Sequence, residues 1–275
     1  MSRTLRSDFP LHLVLGLVAI LTFYPFVFLV ITSFKSSPQF IHDFWGVAWP
    51  PTFANYRDAW GRISVYLLNS IIVSGISMVG VLALASIAGF VFARYNFPGR
   101  EILFFAVLSL LMIPSVLTLV PAFLLVKSFG LLNTYWALIM PYIAGGQIFA
   151  IFILRSFIAS LPEEMFEAAR LDGASTMQAF RHIALPLSKP ILVTIAIMNI
   201  LGTWNDYIWP LVTTPDGKLW TISVGIVTFS NSFRGLENWG PMFAGFVIAS
   251  IPLIVLFVFT MRYFIAGLTS GAIKA

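Results

Sequence analysis

The sequence predicts an all-α, polytopic membrane protein with six transmembrane helices, organised as a single domain over residues 1–275. Three observations predict it. The 275 residues are 59% hydrophobic and only 10% charged, against about 25% charged in soluble domains. So few polar groups cannot cover a water-soluble globule. Apolar runs long enough to cross a bilayer recur six times along the chain. The charges, prolines and turn formers gather in the segments between those runs.

Leu11 to Thr32 carries no charge and as a helix would measure about 33 Å, enough to span. Arg3 and Arg6 precede it, which raises a signal peptide. The run is longer than a usual signal core and no small-x-small cleavage pattern precedes Phe34, so an uncleaved first span is expected. Lys35 to Val65 is polar and turn-rich, with aromatics suited to a membrane interface. Tyr66 to Ala93 is the second span, with Ser77, Ala85, Gly89 and Ala93 on one small-residue stripe that lets another helix come close. A basic turn from Arg94 to Arg100 follows, then Ile102 to Val126 as the third span, interrupted by Pro114 and Pro121. Thr134 to Leu154 is the fourth, containing Pro141 and Gly145-Gly146. Ile191 to Val212 is the fifth and Met242 to Met261 the sixth, before a short tail. Prolines and glycines inside spans are tolerated where neighbours or a water-lined cavity satisfy the freed backbone groups. Ordinary kinking and a moving bundle both fit them, and their number favours movement.

Six spans put both termini on one side. That side holds Arg3, Arg6, Arg94, Arg100, Arg155, Arg170, Arg181, Lys189, Arg262 and Lys274, whereas the other holds only Lys35, Arg57, Arg62, Lys127, Lys218 and Arg234. The excess marks the first side as cytoplasmic. The net charge of +5 therefore reads as a topology signal, and nucleic-acid binding is not expected. With no cysteine, disulfides, thiol chemistry and Cys-based metal sites are excluded. His12, His42 and His182 lack ligand spacing, so no metal is expected.

The segment Ser160 to Pro190 is the main polar break, holding four of the 11 acids: Glu163, Glu164, Glu167 and Asp172. Ser160 and Glu163 read as a capping box, with Pro162 in the first turn. Gly173 supplies a left-handed stop, and Ser175 with Gln178 opens a second short helix towards His182. Pro186 and Pro190 break the chain before the fifth span. The result is a two-helix cytoplasmic bracket. A solvated connector is one reading. The other is a docking element, since Met165, Phe166 and Phe180 put bulky apolar groups on a hydrophilic segment, and an exposed Phe fits a partner's socket.

Polar groups at membrane depth are site candidates. The fifth span carries Asn199 and the run Thr203 to Tyr207, in which Asp206 is the only acid inside a predicted span. Asp206 reads either as a helix-end residue at the outer interface, since Pro210 follows, or as a substrate contact. Trp204, Asn205 and Tyr207 would suit a sugar, whose apolar faces stack on aromatics while amides take its hydroxyls. The same aromatics also fit an interfacial belt. Asn69, Gln147 and Tyr24 are further pore candidates. The outer loop Thr213 to Gly240 contains an apolar piece, Trp220 to Phe229, too short to span. It would cover the bundle, re-enter, or meet a partner.

Glu167-Ala168-Ala169, Gly173, Ile183 and Leu185-Pro186, at these spacings, resemble the EAA signature of ABC-importer permeases. Asn69-Ser70, Ala93-Arg94, Phe97 to Arg100, Met112-Ile113-Pro114, Trp204-Asn205-Asp206, Trp209-Pro210-Leu211 and Gly267 to Ala272 resemble recurring stretches of the MalG-like branch serving carbohydrates. The resemblance covers nearly the whole chain. It implies a type I ABC-importer (MetI/MalG-like) bundle, with Glu163, Met165, Phe166, Glu167, Ala168, Ala169, Asp172, Gly173, Ile183, Leu185 and Pro186 at the coupling contact with an ATPase. It further implies a second homologous permease, two ATPase subunits carrying ATP and Mg, an extracytoplasmic substrate-binding protein, and the bacterial plasma membrane. No G-x-x-x-x-G-K-[S/T] phosphate loop occurs in the chain, so it is not itself expected to hydrolyse ATP. A non-sugar solute is the alternative within that class. An ion-coupled secondary transporter is the rival outside it, with only Asp206 to serve as a coupling acid. An intramembrane enzyme finds no paired acids, His cluster or Ser/Lys dyad at span depth.

Overall fold

The computed structural model describes residues 10–233 and 239–261 with their side chains, and the backbone of Phe9 and of residues 262–272. Arg3, Arg6, Arg234 and Lys274, used above for orientation, lie outside the described residues. The described elements are helical. They are α1 (Phe9–Ser33), α2 (Ser37–His42), α3 (Ala54–Arg94), α4 (Arg100–Ser109), α5 (Ser115–Ser128), α6 (Tyr135–Ala159) and α7 (Glu163–Leu171). After these come α8 (Thr176–Ala179), α9 (Leu185–Leu187), α10 (Lys189–Asn205), α11 (Ile208–Thr213), α12 (Ile222–Asn231) and α13 (Gly240–Ala272).

Among the described residues, four helices are individually long and apolar enough to cross a membrane, and the number rises to 6 when each of two bent pairs is taken as one span. The first bent pair is the expected third span. It turns through 103° between Met112 and Ser115, because Pro114 drives Ile113 into extended backbone (φ −83°, ψ 115°). Pro121, by contrast, is absorbed inside α5. The second span is longer than its apolar core suggests. Helix α3 begins at Ala54 because its polar first turns are themselves amphipathic. Asn55, Ala59 and Ile63 are buried on one face, while Asp58 and Arg62 pair at 2.9 Å on the other.

The chain forms two compact units, Met1–Ser64 with Gly225–Ile251 and Val65–Val224 with Pro252–Ala275. The first unit carries its own polar clasp. Lys35, read above as an outer-side cation, is only 1% exposed. Its ammonium donates to the carbonyls of Asp43 at 2.6 Å and Phe44 at 2.8 Å. Asn55 donates to the carbonyls of Ser33 and Lys35, and Phe28, Phe40, Phe44, Trp45 and Phe243 form a contiguous ring cluster around them.

In the second unit α3 packs on α6 through the small-residue stripe. Ser77, Ala85 and Gly89 are buried, together with Val81. At Gly89 a Cβ would lie 2.8 Å from the Leu154 Cβ and 3.2 Å from the Arg155 nitrogen, so the two helices meet backbone to backbone. The core that results includes Phe90, Phe104, Ile151, Leu154, Phe166 and Ile195.

Candidate functional site

The bracket between the fourth and fifth spans is built differently at its two ends. At its start the expected Ser160/Glu163 capping box does not form. Ser160 Oγ donates to the carbonyl of Phe157 at 2.7 Å, and Pro162 occupies the cap position without a side-chain bond. Glu163 is taken by two guanidiniums, Arg94 and Arg170, which hold a carboxylate more strongly than a neutral N–H does. At the elbow Gly173 adopts φ +79°. The N–H groups of Gly173 and Ala174 bond the carbonyls of Arg170 and Ala169 at 3.1 and 2.9 Å, closing a Schellman turn. The second cap forms as expected, with Gln178 N–H donating to Ser175 Oγ and Ser175 N–H to Gln178 Oε1. A π-turn over Phe180–Ala184 then widens the helix just ahead of Pro186, whose ring would otherwise press on the preceding turn. The chain bends by 72° into α10.

Phe166 does not protrude. It is 5% exposed, lies against Phe90, and has the Arg94 guanidinium 4.0 Å above its ring. A nearby aromatic and a cation outcompete water for this face, so the knob expected there points inward. Phe180 is half-buried beside Phe90 as well. The large apolar groups of the bracket that are exposed are Leu171 (89%), Met177 (63%), Met165 (41%) and Leu187 (39%). Glu164, Glu167, Ala168, Asp172, Gly173 and Pro186 are exposed alongside, while Ala169, Ile183 and Leu185 are half-buried.

Arg94 is the anchor that sequence reasoning missed, having read it only as an orientation marker and part of a recurring stretch. Its side chain is 9% exposed. Besides Glu163, it donates to the carbonyls of Ile158 and Leu161, both at 2.7 Å. One side chain thus ties the end of α3 to the end of α6 and the start of α7. Its place in the last turn of a long helix, where a cation is favoured by the dipole, is the only local signal. A second strut joins α4 to α6: Arg155 donates to both carboxylate oxygens of Glu101 at 2.6 and 2.7 Å and lies 3.7 Å over the ring of Phe104. Tyr95 Oη also meets Thr176 Oγ1. The bracket is therefore clamped to the ends of the spans.

At membrane depth a cavity of about 340 Å³ opens between α6 and α10, lined by Val81, Pro141, Tyr142, Gly145, Gly146, Phe149, Ile195, Met198, Asn199, Gly202 and Thr203. Of the polar residues singled out from the sequence, Asn199 and Thr203 line it, and Thr203 is engaged with Ser74 at 2.9 Å. Gln147 lies next to it, donating to the carbonyl of Val81 at 3.4 Å. The rest lie elsewhere. Asn69 is a clasp whose amide donates to the carbonyls of Lys218 and Trp220 and accepts from Tyr135 Oη. Trp204 is buried, Asn205 bonds back to the carbonyl of Leu201, and Tyr207 is partly exposed. Tyr24, in the first unit, stacks near Phe28 and Trp45. Asp206 sits in the break between α10 and α11. Its carboxylate accepts from Tyr142 Oη at 2.9 Å and from the Trp209 N–H at 3.3 Å, and its carbonyl accepts from Ser223 Oγ. Gly145-Gly146, noted in the sequence as a span irregularity, was the available sign of this cavity.

Membrane-length helices, two pairs of them bent, and a polar bracket clamped to the ends of the spans suit a membrane transport permease. Residues 59–270 match the family described as binding-protein-dependent transport system inner membrane component, and the chain belongs to that family. It is 37% identical over 256 residues to the probable ABC transporter permease protein YurM of Bacillus subtilis (strain 168), covering 91% of this chain and 83% of the relative. The diacetylchitobiose uptake system permease protein NgcG of Streptomyces coelicolor is 32% identical, covering 96% and 88%. The trehalose/maltose transport system permease protein MalG of Thermococcus litoralis is 33% identical, covering 94% of each chain. Among solved structures, a chain of a bacterial ABC transporter involved in import of the acidic polysaccharide alginate superposes with a TM-score of 0.82 at 20% identity, covering 96% of this chain and 99% of that one. That likeness establishes the shared fold.

Proposed function

We infer that this chain is a transmembrane permease subunit of an ATP-binding-cassette importer, moving a carbohydrate into the cytoplasm by alternating access. The observation that carries the reading is the clamped bracket. Its outer face offers Glu164, Glu167, Leu171 and Gly173 to a partner, while Arg94 fixes its inner face to α3 and α6. An element that is open outwards and bolted inwards transmits a push; a slack loop would absorb it. The substrate class is supported by relatives named for diacetylchitobiose and for trehalose/maltose.

In this reading two ATPase subunits, carrying ATP and Mg, dock on Glu163 to Pro186. Their closure moves the bracket and rocks the bundle against a second, homologous permease. A substrate-binding protein delivers solute from outside; in the alginate importer a periplasmic protein bound to an alginate pentasaccharide accompanies the transporter. The chain lies in the bacterial plasma membrane with both termini cytoplasmic, as its cation distribution supports. It performs no hydrolysis itself, and Asn199, with Gln147 beside it, borders the solute route.

Reconstitution tests the reading. Proteoliposomes holding the chain with its partner subunits are expected to accumulate sugar only with internal or external ATP reaching the ATPases. Uptake by this chain alone, driven by an ion gradient, would overturn it.

A further inference from the structure

We propose that a groove in the second unit, between α3 and the junction of the bracket with α10, seats one acyl chain of an anionic phospholipid whose headgroup phosphate rests on Lys189. The proposal concerns a lipid that the chain holds and not the solute it carries, so it goes beyond the importer reading. The groove has a volume of about 600 Å³. One wall is the stretch from Val79 to Ile87 of α3, and the other includes Phe180 and Leu192.

The walls call for hydrocarbon. Val79 is 59% and Ile87 48% exposed, and Ala83 between them is exposed as well. Ser86, the hydroxyl residue of the lining, is buried and donates to the carbonyl of Ala83 at 3.1 Å, so its own hydrogen bond is already made. A polar occupant would find its groups stranded along such a wall, whereas an alkyl chain strands none. The length agrees. Val79 to Ile87 covers about 12 Å of helix, close to half of a hydrocarbon core about 30 Å thick, which is the depth that the tails of one leaflet fill.

Charge selects the headgroup. Helix α3 ends at Arg94 and α10 begins at Lys189, so the cationic ends of both helices lie at the same end of the groove. Arg94 is committed to the bracket. Lys189 lines the groove, together with no acid. It and Arg181 are exposed, and neither makes an ion pair with any described residue. A basic rim at the cytoplasmic end of an interhelical groove favours a headgroup of net negative charge over a zwitterionic one. A free phosphate would meet the ammonium and leave the walls bare. A partner's apolar helix would cover the walls and leave Lys189 without a counter-charge. An anionic lipid answers both.

The test uses the complex in which the chain purifies, held in phosphatidylcholine nanodiscs with a trace of phosphatidylglycerol that carries a photoreactive group on its acyl chain. Peptide mass spectrometry then locates the label. Labelling is expected on residues 79–87 and 180–192, displaced by unlabelled phosphatidylglycerol and retained in excess phosphatidylcholine or free glycerol phosphate. Lys189→Gln is expected to lower it about fivefold, the effect of one cation at a membrane surface. Ala83→Trp, which fills the groove, is expected to remove it while labelling elsewhere on the chain persists. Equal labelling by a photoreactive phosphatidylcholine overturns the proposal, because the contact would then be unselective. Unchanged labelling of Lys189→Gln overturns it, as does displacement by glycerol phosphate alone. Absence of label overturns it too, and a photoreactive residue at position 83 that crosslinks to a partner subunit would show that protein fills the groove instead. Each readout is made without transport, so failure here leaves the importer reading standing, and failure of ATP-driven uptake leaves the lipid site standing.

Discussion

The guanidinium of Arg94, in the last turn of α3, pairs with the carboxylate of Glu163, in the first turn of α7. The pair itself is a small part of the anchoring, because Glu163 is 53% exposed and also shared with Arg170. Exposed ion pairs contribute only about 0–1 kcal/mol. The two bonds from Arg94 to the carbonyls of Ile158 and Leu161 are shielded by Phe166 and count for more, about 1–3 kcal/mol each when lost. Arg94→Ala is therefore expected to loosen the bracket more than Glu163→Gln does. Amide hydrogen exchange over residues 160–175 should accelerate strongly in the first variant and slightly in the second. ATP-driven uptake should fall in the same order.

The elbow depends on backbone conformation alone. Gly173 sits at φ +79° with nothing within 4 Å of where a Cβ would point, so alanine there meets no clash and only the left-handed cost of about 1–2 kcal/mol. Gly173→Ala is expected to insert normally and to keep partial uptake. Gly173→Pro, whose φ is locked near −65° and which removes the N–H bonded to Arg170, should insert yet abolish ATP-driven uptake. Equal uptake by Gly173→Pro and wild type would show that the elbow's shape is irrelevant to transport.

What could be read in the sequence was whatever is set locally. Apolar length marked the spans, the glycine marked the left-handed elbow, and Ser175 with Gln178 marked a cap, since each depends on a few adjacent residues. Ser160 and Glu163 carry the same local signature and yet do not cap, because Arg94 approaches from another helix and claims the carboxylate. The inward turn of Phe166 has the same origin. So does the role of Asn69, a residue of α3 that pins Lys218 and Trp220 from the far end of the sequence. Extended backbone at Ile113 was foreseeable from Pro114, but the size of the turn, 103°, was not.

Asn69 makes a separable prediction about stability. It is 3% exposed and its amide satisfies two carbonyls and one tyrosine hydroxyl. Asn69→Leu keeps a similar volume but strands all three groups, at about 1–3 kcal/mol for each that water cannot reach. The detergent-purified complex should melt several degrees lower, while sugar selectivity stays that of the wild type. A change in selectivity without a change in melting would instead make Asn69 a solute contact.

Leu171 poses the opposite case, a large apolar side chain with little to hold it. At 89% exposure it contributes almost nothing to the fold, so Leu171→Glu should leave expression, insertion and melting unchanged. Its neighbours on the same exposed surface are Glu167, Asp172 and Gly173, and a lone leucine among acids on a short helix gains free energy only by entering a partner's apolar pocket. Burying it there would be worth about 1.5–3 kcal/mol, and a carboxylate in that pocket would add a desolvation cost. The substitution should therefore weaken co-purification of the ATPase subunits tenfold or more and reduce uptake in parallel, with Leu171→Met close to wild type. If Leu171→Glu retains the ATPases at wild-type stoichiometry in high-salt washes, the outward face of α7 is not where they bind.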